Sequence, residues 1–362
     1  MPDDRIKKTK LASLFETEPR NGRVWPDAPP PNIAPLKPTP VYDTYWRFAA
    51  ERQEIFFARA CGQSPPWTDD EILAEFKFTN VYRAADRVSQ FLIRRVIYRE
   101  DLPATNEEVF YRTMLFKLFN KIETWDLLEH ECGPLTWAEY DFKRYDDVLT
   151  KAMSTGQRIY SAAYIMPSAK TFGYASKHSN HLALLAKMMG DGLPRKIADA
   201  GRMQRGFDLL VEYPSLGDFL AYQFITDINY SEITAFSEND FVVPGPGALD
   251  GIKKCFTDTA GLPMAEVIGF MAERQGAEFQ RLGLTFRSLW GRSLKLIDCQ
   301  NLFCEVGKYA RQRHPDVKGV SDRTRIKQKF RPNKTVIDYW FPPKWGINER
   351  IARRQPERDL RG

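Results

Sequence analysis

Apolar residues recur three and four positions apart over most of this chain, the spacing that gives a helix one buried face. Tyr45, Trp46, Phe48, Ala49, Phe56 and Phe57 mark a helix over 42–59. Tyr82, Ala85, Val88, Phe91, Leu92 and Val96 predict a second over 81–98. The same reading predicts helices over 107–120, 139–155, 180–190, 194–212, 217–230, 262–276 and 297–312. Strand patterns are few. The best are 158–165 and 240–243, and neither makes a sheet. The expected fold class is therefore mainly α with few short strands. No internal repeat of fixed period is present.

The ends of the chain depart from this pattern. Residues 25–40 contain seven prolines, which excludes helix and reads as an extended arm or linker. Segment 308–334 carries ten Lys/Arg against two Asp, interleaved with Tyr309 and Phe330. An aromatic-proline patch follows at Tyr339–Pro343, then a second Arg-rich stretch at 350–361. The expected organisation is an arm over 1–40, a helical catalytic domain over 41–312 and a basic tail over 313–362. Net charge of +6 permits a nucleic-acid partner without requiring one. A charge run is most often a solvated face, but the one-sided sign of this one favours DNA. Arg323, Arg325, Lys327, Lys329 and Arg331 are its candidate phosphate contacts. No apolar run is long enough to cross a membrane and no secretory signal opens the chain, so a cytoplasmic protein is expected. The five cysteines are scattered without a C-x-x-C pair and read as reduced thiols.

Several polar residues interrupt apolar surroundings. Asn80, Arg83 and Asp86 fall at i, i+3 and i+6, with Arg87 next, and on a helix they form one stripe. That stripe is either a solvated face with an internal ion pair or a phosphate-holding site with a proton carrier. Gln223 and Asp227 are i, i+4 neighbours in FLAYQFITDINY, with Asn229 close by. A carboxylate there needs a partner. It is either a structural cap or a general base beside a base-reading amide. Gly245-Pro246-Gly247 opens a helix whose free N–H groups favour an anion, with Lys253 and Lys254 following, and the plain alternative is a turn. Asn301, Glu305 and Lys308 share a helix face, where a structural ion pair is the commoner explanation. His178 and His181 lack a third ligand, so no metal site is assigned. The sequence contains no G-x-x-x-x-G-K-[ST] and hence no ATP-binding P-loop of that form.

Five segments in order, YWRFAAERQ, FKFTNVYRAADR, LGDFLAYQFITDINYSE, VVPGPGALDGIKKCF and LIDCQNLFCEVGKYAR, carry a resemblance over 41–312. The chain resembles the alpha-glutamyl/putrescinyl thymine pyrophosphorylase family, whose helical domain also occurs in 5-hydroxymethyluracil DNA kinases. The layout of 215–256 is similar to that of helix-hairpin-helix DNA glycosylases, where an apolar run leads to a catalytic Asp at the mouth of the next helix. Here that place is Pro244–Gly247, with no carboxylate. The resemblance implies a helical, glycosylase-like architecture and a transferase of phage DNA hypermodification. Such an enzyme replaces pyrophosphate on 5-(pyrophosphomethyl)uracil in double-stranded DNA with an amine, either an amino acid or a polyamine. It further implies catalytic roles for Asp227, Asp86 and Arg83. Substrate contacts are implied from Asn80, Arg87, Gln223, Asn229, Gly245, Gly247 and Lys254. A divalent metal bridging the pyrophosphate fits this chemistry, although the sequence shows no ligands for it. Two rivals stand beside the transferase: a glycosylase using Asp227, and a non-catalytic reader of modified DNA.

Overall fold

The computed structural model of the protein describes residues 25–332 and 337–351. The first 24 residues of the expected arm and most of the Arg-rich end lie outside the described residues. The architecture is mainly helical. Its only sheet among the described residues is a short antiparallel pair, β1 (Lys37–Pro38) with β2 (Phe256–Asp258). The two expected strands at 158–165 and 240–243 are loop, because a strand needs a paired edge and neither finds one.

The first layer is built on α1 (Pro40–Ala60), α11 (Pro246–Cys255), α12 (Met264–Arg281) and α13 (Leu296–Arg313). Thr39 caps α1 by accepting a hydrogen bond from the Val41 N–H at 3.1 Å. Glycine sets the approach of α11 to α13. A methyl group on Gly251 would sit 1.9 Å from the Phe303 carbonyl oxygen, and one on Gly247 would sit 2.3 Å from Cys304 Sγ. The second layer comprises α4 (Asn106–Phe119), α5 (Ile122–Cys132), α6 (Phe142–Ser154), α7 (Lys177–Gly190), α8 (Leu193–Ala198) and α9 (Met203–Val211). Helix α10 (Asp218–Ile228) packs on α4 and α9. Every residue of α10 from Leu220 to Ile228 is buried. The expected helix over 194–212 is two helices, because Gly201 turns left-handed at φ +70° between them.

The segment expected as one helix over 81–98 is broken into four pieces. After α2 (Glu71–Glu75), residues 76–82 are irregular apart from a single bridge, Arg83–Ala85 is a 3-10 turn, α3 spans Arg87–Phe91, and Leu92–Ile97 is a π turn. Asp86 is extended (φ −71°, ψ 146°) and stops the 3-10 turn. Downstream, buried Arg112 takes the Val96 carbonyl at 3.0 Å, which draws that carbonyl out of a regular helical ladder. The polar stripe read from this segment therefore does not lie on one helix face.

Both extensions return to the helical body. Ile33 and Leu36 are buried, and Arg47 and Arg281 bond the Pro26 and Pro29 carbonyls at 2.8 and 2.7 Å. Phe341 is fully buried beyond the basic segment.

Candidate active site

Helix α10 spaces Phe219, Gln223 and Asp227 four residues apart, which stacks them along one face. Asp227 is fully buried. It is reached by a cation from each of two distant segments. Arg83 meets it with a two-pronged contact, Nη1–Oδ1 at 2.5 Å and Nη2–Oδ2 at 2.9 Å. Lys117 on α4 meets Oδ2 at 3.0 Å and also donates to Asn120 Oδ1 at 2.8 Å. Arg83 Nη1 further donates to the Tyr230 hydroxyl at 3.0 Å, while Arg83 Nε is buried without a hydrogen-bond partner. Two cations thus share one carboxylate in a site shielded from water.

Burial pushes the Asp227 carboxyl up, but the Arg83 and Lys117 charges more than reverse this and hold it below the usual carboxylate range. Burial lowers Lys117 to about 8, with the Asp227 charge opposing and the Arg83 charge adding to the shift. A carboxylate held ionised by two cations is a weak base. The general-base role expected for Asp227 is therefore not what this geometry favours; Asp227 fixes the positions of Arg83 and Lys117.

Tyr164 lies above the cluster. Its ring centroid is 4.7 Å from Lys117 Nζ and 5.7 Å from Arg83 Cζ. The ring also stacks on Phe219, with centroids 6.0 Å apart and planes at 18°. Gly245 abuts Phe219, where a methyl group would come within 2.5 Å of that ring and 3.2 Å of Gln300 Nε2. Gly245 thus borders the site.

The other sequence candidates go elsewhere. Asn80 and Asp86 bond each other, Asn80 N–H to Oδ1 at 2.8 Å. Asn80 also accepts from Arg52 at 2.8 Å and donates to the Ala85 carbonyl at 2.8 Å. Burial pushes Asp86 up to about 6 within this knot. Arg87 is at the surface, 3.8 Å from Glu123. Asn229 ties down the loop after α10 through Thr234 Oγ1 at 2.9 Å and the Phe236 N–H at 3.0 Å. Gly247 packs on Cys304, and Lys254 points into the α11–α13 junction, so a packing role accounts for both. Glu305 and Lys308 pair at 2.7 Å, and Glu305 also accepts from the Thr79 N–H at 2.9 Å. Arg323, Arg325, Lys327, Lys329 and Arg331 are all exposed at two-residue spacing, with Ile326 buried between them. Lys329 lies 3.1 Å from Glu75.

His178 bonds Thr150 and His181 bonds Tyr160, so the two imidazoles share no ligand. Among the described residues no three His, Cys, Asp or Glu side chains converge on a metal site. No described helix is long and apolar enough to cross a membrane. The sequence reading missed Lys117, Tyr164, Phe219 and Tyr230. The available signal was Lys117, a cation inside the apolar MLFKLF run of α4, which must find a buried partner.

A family model described as the helical domain of 5-hmdU DNA kinase matches residues 39–319. The chain belongs to this 5-hmdU DNA kinase helical-domain family. A curated relative, a 5-hmdU DNA kinase of Bacillus phage SP10, is 26% identical over 286 residues, covering 74% of this chain and 45% of the relative. The chain therefore spans less than half the length of that kinase. No solved structure matches the chain. Arg83, Lys117, Asp227 and Tyr230 all fall within the helical-domain match, and the exposed cations of 323–331 lie beyond it.

Proposed function

We propose that the protein modifies a hydroxymethyluracil-derived base in DNA, and that it replaces the pyrophosphate of 5-(pyrophosphomethyl)uracil with a small amine. The observation that carries this reading is the buried cluster in which Arg83 and Lys117 share Asp227. The cluster has one more cation than carboxylate, and an anionic leaving group supplies the missing charge. Helical-domain family membership and the name of the phage kinase direct the reading to this base. The absence of a P-loop motif from the sequence turns it away from ATP-dependent phosphorylation by this chain. The order of α10, loop and α11 supports a glycosylase-like ancestry, with Pro244–Gly247 in place of the catalytic carboxylate.

In this reaction the C–O bond from the exocyclic carbon to the pyrophosphate breaks and the oxygen keeps the electron pair. The amine lone pair forms the new C–N bond, and the nitrogen's surplus proton passes to the departing pyrophosphate. Arg83 and Lys117 hold the developing negative charge. Asp227 keeps both cations in place. Gln223 faces the base edge, and the exposed cations of 323–331 follow the DNA backbone.

The test is mass spectrometry of nucleosides after duplex DNA carrying 5-(pyrophosphomethyl)uracil is incubated with the protein and an amine. The expected products are the amine-substituted nucleoside and free pyrophosphate. Arg83→Ala is expected to abolish both with every amine, because the leaving charge is the same in each case. Unaltered nucleoside despite DNA binding would make the protein a reader of modified DNA. Released free base would make it a glycosylase.

A further inference from the structure

The α10 face carries an unfilled polar group. Gln223 stands between Phe219 and Asp227, is 2% exposed, and its amide has no hydrogen-bond partner among the described residues. The amide keeps a small opening to solvent, so its hydrogen bonds are available to a ligand. Beside it are the Phe219 ring at one end of the row and the Arg83–Lys117 cations at the other.

Tyr164 spans this row from a surface loop. Its ring stacks on Phe219 at one side and lies over both cations at the other. The backbone there adopts φ +54°, a left-handed conformation unfavourable for a tyrosine. The next residue, Ile165, is 75% exposed. His181 braces the loop on both sides of Tyr164, through Tyr160 Oη at 2.8 Å and the Pro167 carbonyl at 2.6 Å. Both imidazole nitrogens are engaged, and burial lowers the ring to about 4, so it is neutral when it makes these contacts.

We propose that the Phe219–Gln223–Asp227 face is the seat of a single unstacked pyrimidine base, and that Tyr164 occupies this seat when no DNA is bound. This rests on the proposed action on a base in DNA and adds where the base sits and what it displaces. A pyrimidine matches each feature in turn. Its flat ring stacks on Phe219, its adjoining N–H and C=O complement the Gln223 amide, and an anionic 5-substituent extends to Arg83 and Lys117. Tyr164 supplies a ring but no partner for Gln223, whose amide is left for the base. Extrusion of the base from the duplex and withdrawal of Tyr164 are then one exchange.

The test uses a duplex with one 5-hydroxymethyluracil and 2-aminopurine as its 3′ neighbour, titrated with the full chain. Fluorescence rises as the neighbour loses its stacking partner. Tyr164→Ala empties the seat and is expected to lower the concentration for half-maximal signal about three- to ten-fold, since more of the protein is then competent to bind. Tyr164→Phe keeps the plug and is expected to match the parent. Phe219→Leu removes the stacking floor while preserving bulk, and is expected to weaken capture about ten-fold. Circular dichroism matching the parent qualifies each variant as folded. Weaker or unchanged capture by Tyr164→Ala would overturn the proposal, because a fixed wall of the pocket gives that result. The transfer assay reads the other claim independently. No amine transfer together with the expected Tyr164→Ala response would remove the transferase and leave the seat.

Discussion

Two Asp–Lys pairs are buried among the described residues, and they differ in how they are held. Asp250 and Lys254 lie four residues apart on α11, 3.2 Å from each other, each about 3% exposed. Lys254 also donates to the Gly307 carbonyl at 2.8 Å, and Asp250 accepts from the Ser321 N–H at 2.8 Å. This pair fastens α11, α13 and the start of the basic segment together. Asp227 and Lys117 are the same residue types at the same degree of burial, but they belong to separate helices and are joined by Arg83. Around them Arg83 Nε stays without a hydrogen-bond partner. Burial and charge are common to both pairs. A second cation is common to both as well, since Arg311 Nη2 lies 3.9 Å from Asp250 Oδ2, an oxygen without a hydrogen-bond partner. Only at Asp227 does the second cation make a two-pronged contact beneath an aromatic ring, and that distinguishes a candidate site from a fastening.

The largest expected effect comes from removing the shared carboxylate. Asp227→Ala strands two buried cations and is expected to cost about 3–5 kcal/mol in chemical denaturation. Asp250→Ala is expected to cost less, about 1–3 kcal/mol, because Lys254 keeps the Gly307 carbonyl. Equal losses would break the comparison. Next comes Gly251→Ala, whose new methyl meets backbone at the tight α11–α13 crossing. A loss of about 1–3 kcal/mol is expected from overpacking, with base capture unchanged. A neutral result would mean that this junction yields easily and is not the rigid partner in the comparison.

A smaller effect separates the two lysines by ligand. Inorganic pyrophosphate at saturating concentration is expected to raise the thermal midpoint by a few degrees, a shift of about 1–3 kcal/mol. Lys117→Met should lose this rise, whereas Lys254→Met should keep it. The reverse order would move the anion site to α11. The smallest effect is a slope. Burial lowers Lys117 from 10.5 to about 8. Between those values the unfolded chain binds a proton that the folded chain does not, so this group makes stability rise with pH across that window. Below pH 8 both states are protonated and its contribution to the slope vanishes. Denaturation midpoints from pH 7.5 to 10 should therefore rise less steeply in Lys117→Met than in the parent.

Much of the helical layout was legible in the apolar spacing, because long helices such as α1, α4, α10 and α13 bury continuous faces. The stretch over 81–98 departs from the expected helix. Its spacing suits a helix, but Asp86 and Asn80 bond each other and Arg112 intercepts the Val96 carbonyl. The sequence marks Arg83 and Asp227 as polar residues in apolar surroundings, but it does not show that they pair. Lys254 and Gly247 looked like an anion site by motif. The crossing of α11 over α13 gives them packing roles instead.

The sequence by itself determined the mainly helical class and the row of Phe219, Gln223 and Asp227, because a 3.6-residue period places side chains four apart on one face whatever surrounds them. Only the tertiary structure decided what that row meets. Arg83 stands 144 residues from Asp227 along the chain. Lys117 comes from α4 and Tyr164 from a surface loop. Contacts of this kind follow from which faces pack together, and no local spacing encodes them. Two residues on separate elements have their distance set by the whole core between them, so one Asp–Lys pair became a fastening and the other a candidate site.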